Sequence, residues 1–400
     1  MPICTGWCRW EKYIEEVITR KIGLRVFERI EDAIWKFDPR DILTHKLVKV
    51  LPKVDLHYHL DGSMRAETIV ELAKKQQVEL PHYSHVDLRE HLQQGAKRGS
   101  LKLYLEGFAY TTGVLQTREA LYRSAYECLE DNAKDGVVYV EIRFAPVLHV
   151  QGGLSLDQVV EAVLDGLKDA EANFNINWGV IICAMRDRSD SLEMAKLAVK
   201  YRHQGVVGFD LAGEEAGYPA KDHIEAFDYC KQSNFNITIH AGEAFGVHSI
   251  WQALQHCGAH RIGHGTRLID DMKVVDGQVK EIGDIAGYVL DHRIPLEVCI
   301  SSNIQTKAAE SYEKHPFRHF WNKNYRVFLN TDNTLMSATN LTEEYVKAIN
   351  YYHLSLRDLE KLTINAMKSA FIPYNQRNYI IYNVIKPGYL MIRERLVGKK

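Results

Sequence analysis

No stretch of the chain approaches the roughly 20 apolar residues that a membrane-spanning helix requires, and its amino end lacks the basic-then-apolar pattern of a secretory signal. Both absences set the expectation of a cytoplasmic protein with no membrane partner. Strong charge of one sign is also missing: 50 Lys and Arg stand against 52 Asp and Glu, a formal net charge of −2. That balance argues against a broad basic surface for nucleic-acid backbones, and the short run Arg393, Arg395, Lys399, Lys400 reads as a solvated tail. No nucleic-acid partner is expected. Cysteine is sparse and odd in number, with seven at Cys4, Cys8, Cys128, Cys183, Cys230, Cys257 and Cys299. Several lie within apolar runs, which favours reduced, buried thiols over a disulfide framework. Cys4 and Cys8 have no second pair to complete a metal site and read as ordinary thiols. There is no internal repeat and no low-complexity stretch, and no G-x-G-x-x-G turn follows an early strand. The last absence disfavours a doubly wound open sheet.

What is present is ordinary in proportion, with 46% hydrophobic and 26% charged residues over 400 positions, enough to bury a large core without disulfides. Residues 10–36 place apolar side chains (Tyr13, Val17, Ile22, Val26, Ile30, Ile34) at helical spacing, and residues 1–50 are expected to form an amphipathic helical extension. Residues 51–400 form the main domain. There, short β-branched runs alternate with helix-like stretches. The runs are Val54–His59, Val137–Phe144, Trp178–Met185, Val206–Leu211, Ile237–His240, Arg261–His264, Leu296–Ile300 and Val327–Asn330. Between them lie Leu156–Asn173, Ser191–Arg202, Lys221–Ser233 and Ser249–Cys257. Eight such runs predict a parallel (β/α)8 barrel of the TIM type. The long segment from Met64 to Gly136 predicts a helical lid inserted after the first strand.

The first run ends Asp55-Leu56-His57-Tyr58-His59-Leu60-Asp61. Side chains two apart on a strand leave from one face, about 6–7 Å apart at the backbone. His57 and His59 can therefore converge on one point, and Asp61, in step with them, can reach the same pocket. Alone, an H-x-H pair is as readily a hydrogen-bonded core or surface feature. Other chemistry falls in phase with it, however. The fourth run ends in Asp210 to Glu214, the fifth in His240-Ala241-Gly242-Glu243, the sixth in Gly263-His264-Gly265, and the eighth in Thr331-Asp332-Asn333. Barrel enzymes carry their active sites at these carboxyl ends.

Three imidazoles and a carboxylate (His57, His59, His240 and Asp332) suit one zinc ion per chain with a position left for water. Zinc can lower the pKa of such a water to about 7, although the same set can hold iron, cobalt or manganese. His264 beside that water suits a general base or an electrostatic stabiliser. Glu243, three residues past a ligand, suits a proton donor if burial keeps it protonated near neutrality. Taken singly, His264 can be a strand cap and Glu243 an acid at a helix amino terminus. With the ligand set beside them, the catalytic reading prevails.

Six collinear blocks carry a resemblance: KVDLHYHLDGS (53–63), VVYVEIRFAP (137–146), VVGFDLAGEE (206–215), HAGE (240–243), RIGHGTRL (261–268) and LNTDN (329–333). They resemble the adenosine deaminase family of the metal-dependent amidohydrolase superfamily; the first fifty residues take no part. The resemblance implies a metal on His57, His59, His240 and Asp332, with Asp332 also counted beside Glu243 and His264 among the catalytic residues. It implies that Glu243 protonates the purine ring nitrogen next to the amino-bearing carbon. His264 would orient the attacking water and help deprotonate it, and the intermediate would expel ammonia. Asp61 would hydrogen-bond the ribose 5′-hydroxyl, where adenine-acting relatives tend to carry Glu. Gly213 would offer its backbone N–H to a purine nitrogen, an approach that a side chain would obstruct. His59 would also face the substrate. Leu101, Tyr104, Leu105 and Phe108 would cover the site; their spacing is that of one helix face, equally a mark of plain core.

Two positions depart from the family pattern. Asn333 stands where the best-known members have a second aspartate that binds the purine imidazole ring, and an amide donates without needing to be protonated. Ile300 precedes Ser301-Ser302-Asn303 where proline is expected. The absence of C-x-x-C sets the chain apart from the cytidine-deaminase class. The expectation is zinc-dependent hydrolytic deamination of adenosine and 2′-deoxyadenosine to the inosine product, in purine salvage, with a purine nucleoside as the partner molecule. The competing readings are a deaminase of adenine, AMP or a modified adenosine, and a non-catalytic nucleoside-binding protein on the same fold. Sequence leaves the oligomeric state open.

Overall fold

The computed structural model describes residues 43–397. The helices expected over residues 10–36, and Cys4 and Cys8, lie outside that range. Eight parallel strands form one sheet: β1 Lys53–His59, β2 Val137–Phe144, β3 Asn177–Met185, β4 Val206–Ala212, β5 Asn236–Ala241, β6 Arg261–His264, β9 Leu296–Val298 and β10 Val327–Leu329, hydrogen-bonded in that order. The barrel closes where Tyr58 forms a parallel bridge with Asp332. His59 N–H donates to the Asp332 carbonyl and Asp332 N–H to the His57 carbonyl, both at 2.8 Å. Closure thus brings residue 332 against residues 57 and 59. The fold is a (β/α)8 barrel.

Strand β2 shows why these segments are strands. VVYVEIRF is buried at every position, because one face meets the outer helices and the other the barrel interior. Each fully buried Val or Ile contributes about 1.5–3 kcal/mol. Helices begin where side chains cap their free N–H groups. Ser155 and Gln158 form a capping box ahead of Leu156–Asn173, and Thr117 caps Arg118–Lys134, each worth about 1 kcal/mol. Cys128, Cys183, Cys230, Cys257 and Cys299 are buried and free. Among the described residues, no helix is long and apolar enough to cross a membrane.

Several sequence expectations need correction. The seventh barrel strand stops at Val298, and Ile300–Gln305 is a helix rather than the end of a strand or a loop. The segment between β1 and β2 is helical as expected, but residues 101–108 are not one helix. Leu101–Leu105 and Phe108–Val114 are separate, with Gly107 between them. An antiparallel hairpin that the sequence reading missed, β7 Met272–Val275 with β8 Gln278–Ile282, follows β6. Its alternation is weak, and most of its side chains are exposed.

Candidate active site

His57 Nε2 and His59 Nε2 each lie 3.4 Å from Asp332 Oδ1, and His59 Nε2 lies 3.1 Å from His240 Nε2. One ligand atom from each of the four residues falls within 4.8 Å of all the others. Asp332 reaches this point from a left-handed backbone, φ 62°, and His264 from φ 63°. Such conformations cost non-glycine residues about 1–3 kcal/mol and tend to mark functional sites.

The surroundings prepare these groups for a cation. His57 Nδ1 is 2.7 Å from Glu297 Oε2 and His240 Nδ1 is 3.0 Å from Asp210 Oδ2. Each carboxylate holds a proton on Nδ1 and so leaves the Nε2 lone pair facing the cluster. His57 Nε2 is buried without a hydrogen-bond partner. Burial pulls His59 well below the ordinary imidazole range and lowers His240 as well, so both are neutral. Burial opposes ionisation of Asp332, but the imidazoles around it, His57 foremost, hold its carboxyl well below the usual range. Neutral imidazoles, an anionic oxygen and an orphaned nitrogen converging on one point fit a divalent metal.

Glu243 is 5% exposed. Burial, then the nearby charges of Asp332 and Glu215, push its carboxyl well above the ordinary value. That shift favours the protonated form, and Oε2 lies 3.5 Å from His264 Nε2. Its loop is clamped from outside. Glu215 Oε1 accepts from Gly242 N at 2.6 Å, and Oε2 accepts from Glu243, Ala244 and Phe245 N at 3.0, 2.7 and 2.9 Å.

A chain of hydrogen bonds sets the tautomer of His264. Phe317 N–H, which can only donate, binds His315 Nδ1 at 3.1 Å. His315 Nε2–H therefore donates to Asn303 Oδ1 at 3.1 Å. The Asn303 amide then donates to His264 Nδ1 at 3.0 Å. His264 is pulled well below the imidazole range, first by burial and then by its neighbours' charges. The neutral ring consequently carries its proton on Nε2, facing Glu243 and the cavity.

These groups floor a cavity of about 330 Å³ at the carboxyl ends of the strands. Asp61, Gly213 and Asn333 line it, and Leu101, Tyr104, Leu105 and Phe108 form one wall. All the sequence-predicted site residues except His57, which lies beneath the floor, border this one space. Burial pushes the Asp61 carboxyl up to about 6. Gly213, at φ 101°, turns the chain away from β4. A Cβ on Gly62 would stand 1.7 Å from Asn333 Oδ1, so the glycine makes the room in which Asn333 sits.

A family model described as adenosine deaminase matches residues 52–387. The chain belongs to the adenosine deaminase family. It is 50% identical to "Adenosine deaminase 1" of Streptomyces coelicolor over 353 residues, covering 86% of this chain and 89% of that protein. It is 48% identical to the adenosine deaminase of a Mycobacterium species (strain KMS) over 357 residues, 88% of this chain and 98% of that one. Among solved structures, an N6-mAMP deaminase from Arabidopsis superposes with a TM-score of 0.72 at 28% identity, over 83% of this chain and 96% of that one. An adenine deaminase from Arthrobacter aurescens gives 0.76 at 24% identity, covering 84% and 98%, a likeness of fold.

Sequence reading missed the supports of this family site. Glu297 and Asp210 orient the two histidines, and Arg143 neutralises both from full burial, 2.9 Å from Glu297 and 3.1 Å from Asp210. Arg261 bridges Glu297 and Glu141, each at 2.6 Å. Arg65, the basic residue nearest Asp61 in the sequence, pairs with Glu130 and Asp131 at 2.7 and 2.5 Å.

Proposed function

We propose that the chain deaminates adenosine, and 2′-deoxyadenosine, by hydrolysis to the inosine product and ammonia, using one zinc ion on His57, His59, His240 and Asp332. The observation that carries this reading is Glu243, a buried carboxyl whose burial favours its protonated form, beside four residues placed to hold a metal ion. The ion, when bound, supplies Lewis-acid activation of a water at neutral pH.

The chain's own residues do the rest. Glu243 gives its proton to the ring nitrogen beside the amino-bearing carbon and makes that carbon electrophilic. The Nε2–H of His264 holds the incoming oxygen and stabilises negative charge on it. The oxygen of water adds to the carbon; one of the water's protons passes to the amino group, which departs as ammonia as the C–N bond breaks, and the other returns to the Glu243 carboxylate, leaving the oxygen on the ring. Asp61 accepts from the ribose 5′-hydroxyl, Gly213 and Asn333 meet the purine ring, and the wall from Leu101 to Phe108 keeps bulk water out. A 5′-phosphate would meet the Asp61 carboxyl, and Arg65 is already committed to acids. Nucleoside is therefore favoured over AMP.

The test is ultraviolet conversion of adenosine beside adenine, AMP and 5′-methylthioadenosine, with metal content measured on the same sample. Fastest turnover of adenosine, abolished by chelation and restored by zinc, is expected. Turnover of another substrate alone would move the specificity. Metal-loaded protein inert to all four would favour a nucleoside-binding role.

A further inference from the structure

At the opposite mouth of the barrel, by the amino ends of β4, β5, β6, β9 and β10, lies a second cavity of about 830 Å³. Arg202, Arg293, Arg326, Lys368 and Arg377 line it, and no carboxylate does. Among the described residues, none of the five forms an ion pair. Arg261, which also lines the cavity, is held by Glu141 and Glu297, each at 2.6 Å; away from it, Arg65 lies 2.5 Å from Asp131 and Arg118 2.5 Å from Asp165. Here the guanidinium groups turn to main-chain carbonyls. Arg202 donates to Ser233 O at 2.6 Å, Arg377 to Lys368 O at 2.9 Å and Arg293 to Asn324 O. Arg377 Nε is buried with no partner. The crowding of like charge can be felt: half-buried Arg326 is pulled below its ordinary value, first by burial and then by Arg293 and Arg377.

Holding several cations together without a counter-charge is unfavourable, and a phosphate is the group that arginine forks match best. The volume is that of a small-ligand site. A concavity of this size in a chain of net charge −2 suits a compact anion better than an extended nucleic-acid backbone. Tyr374, 72% exposed among the lining residues, offers a ring face beside the cations. The geometry points to a binding site for a polyphosphorylated nucleotide, with phosphates on Arg293, Arg326 and Arg377 and the base against Tyr374.

The test is titration calorimetry on the full-length, metal-loaded protein with ATP, repeated with inorganic triphosphate and in the presence of saturating inosine. Saturable ATP binding that survives inosine is expected, with triphosphate binding at the same site more weakly. Arg326→Ala should weaken ATP at least tenfold, since a hydrogen bond to a charged group is worth about 1.5–3 kcal/mol. Lys368→Glu, at an exposed position, should do the same and covers the case of a poorly folded Arg326→Ala. Both variants should deaminate adenosine at the native rate. No saturable binding, binding displaced by inosine, or unchanged affinity in both folded variants would each overturn the assignment.

Discussion

Replacing Asn303 by Asp tests how His264 acts. In the native chain the Asn303 amide donates to His264 Nδ1 at 3.0 Å, while its oxygen accepts from His315 Nε2 at 3.1 Å. An aspartate has no N–H to give. Its carboxylate can still accept from His315, but it now draws the His264 proton onto Nδ1. The native preference for Nε2–H rests on a neutral hydrogen bond worth about 1 kcal/mol net. The substituted carboxylate favours the other tautomer by about 1.5–3 kcal/mol, enough to invert the population. His264 would then face the cavity with a lone pair where it presented a donor. Loss of one such preorganised donor costs about 10²–10³ in kcat. The assay is steady-state deamination of adenosine on protein with verified metal content, beside ¹⁵N chemical shifts of the His264 ring. The expected result is that fall in kcat, with the ring proton moved from Nε2 to Nδ1. If His264 instead acts as a general base in its resting state, the variant would hold or gain activity. Activity within threefold of native would therefore sink the donor assignment, as would an Nδ1–H ring in the native protein.

Other substitutions separate the remaining roles. Glu215→Gln keeps one acceptor but faces Glu243, Ala244 and Phe245 N–H with an amide, so the proton-donor loop should loosen and kcat fall about 10²-fold at unchanged metal content. Glu243 must be protonated to act, and burial, Asp332 and Glu215 raise its pKa; activity is lost as pH rises through that raised value. Removing the Glu215 charge should therefore move the alkaline limb of the pH–kcat profile to lower pH, and an unmoved limb would rule out that coupling. Glu243→Gln should retain metal by elemental analysis yet lose about 10²–10⁴ in kcat; near-native turnover would mean another residue supplies the proton. Asp61→Ala should raise KM for adenosine about tenfold or more while leaving any turnover of free adenine little changed. Equal losses on both substrates would remove the ribose assignment.

How much of this was legible in the sequence follows from the range over which each signal acts. Barrel strands announce themselves locally, because burial on both faces demands continuous β-branched runs such as Val137–Phe144. His57 and His59 are also local, two apart on one strand, and the candidate catalytic groups Glu243 and His264 stand beside glycines and turns that mark strand ends. The single stripe read over Leu101 to Phe108 failed because spacing does not reveal that Gly107 divides it between two helices. Likewise, the run read as a strand to Ile300 gives no sign that Cys299 starts a helix there.

The acids that orient the ligands were illegible for a deeper reason. Glu297 lies in the three-residue strand Leu-Glu-Val, and Asp210 sits within an apolar run. Their meaning depends on partners that only barrel closure supplies. Glu297 meets His57, Arg143, Thr238 and Arg261 within 2.6 to 2.9 Å, on four different strands. A carboxylate buried that deeply is untenable without its cations and strongly held with them. Burial disfavours its charge, yet Arg143 and Arg261 keep it well below the ordinary carboxylate range. The same ionised group fixes the proton on His57 Nδ1. The interior charge network is thus both a packing solution and the device that aims an imidazole lone pair at the metal-ligand cluster, so substitutions there should alter stability and metal affinity together.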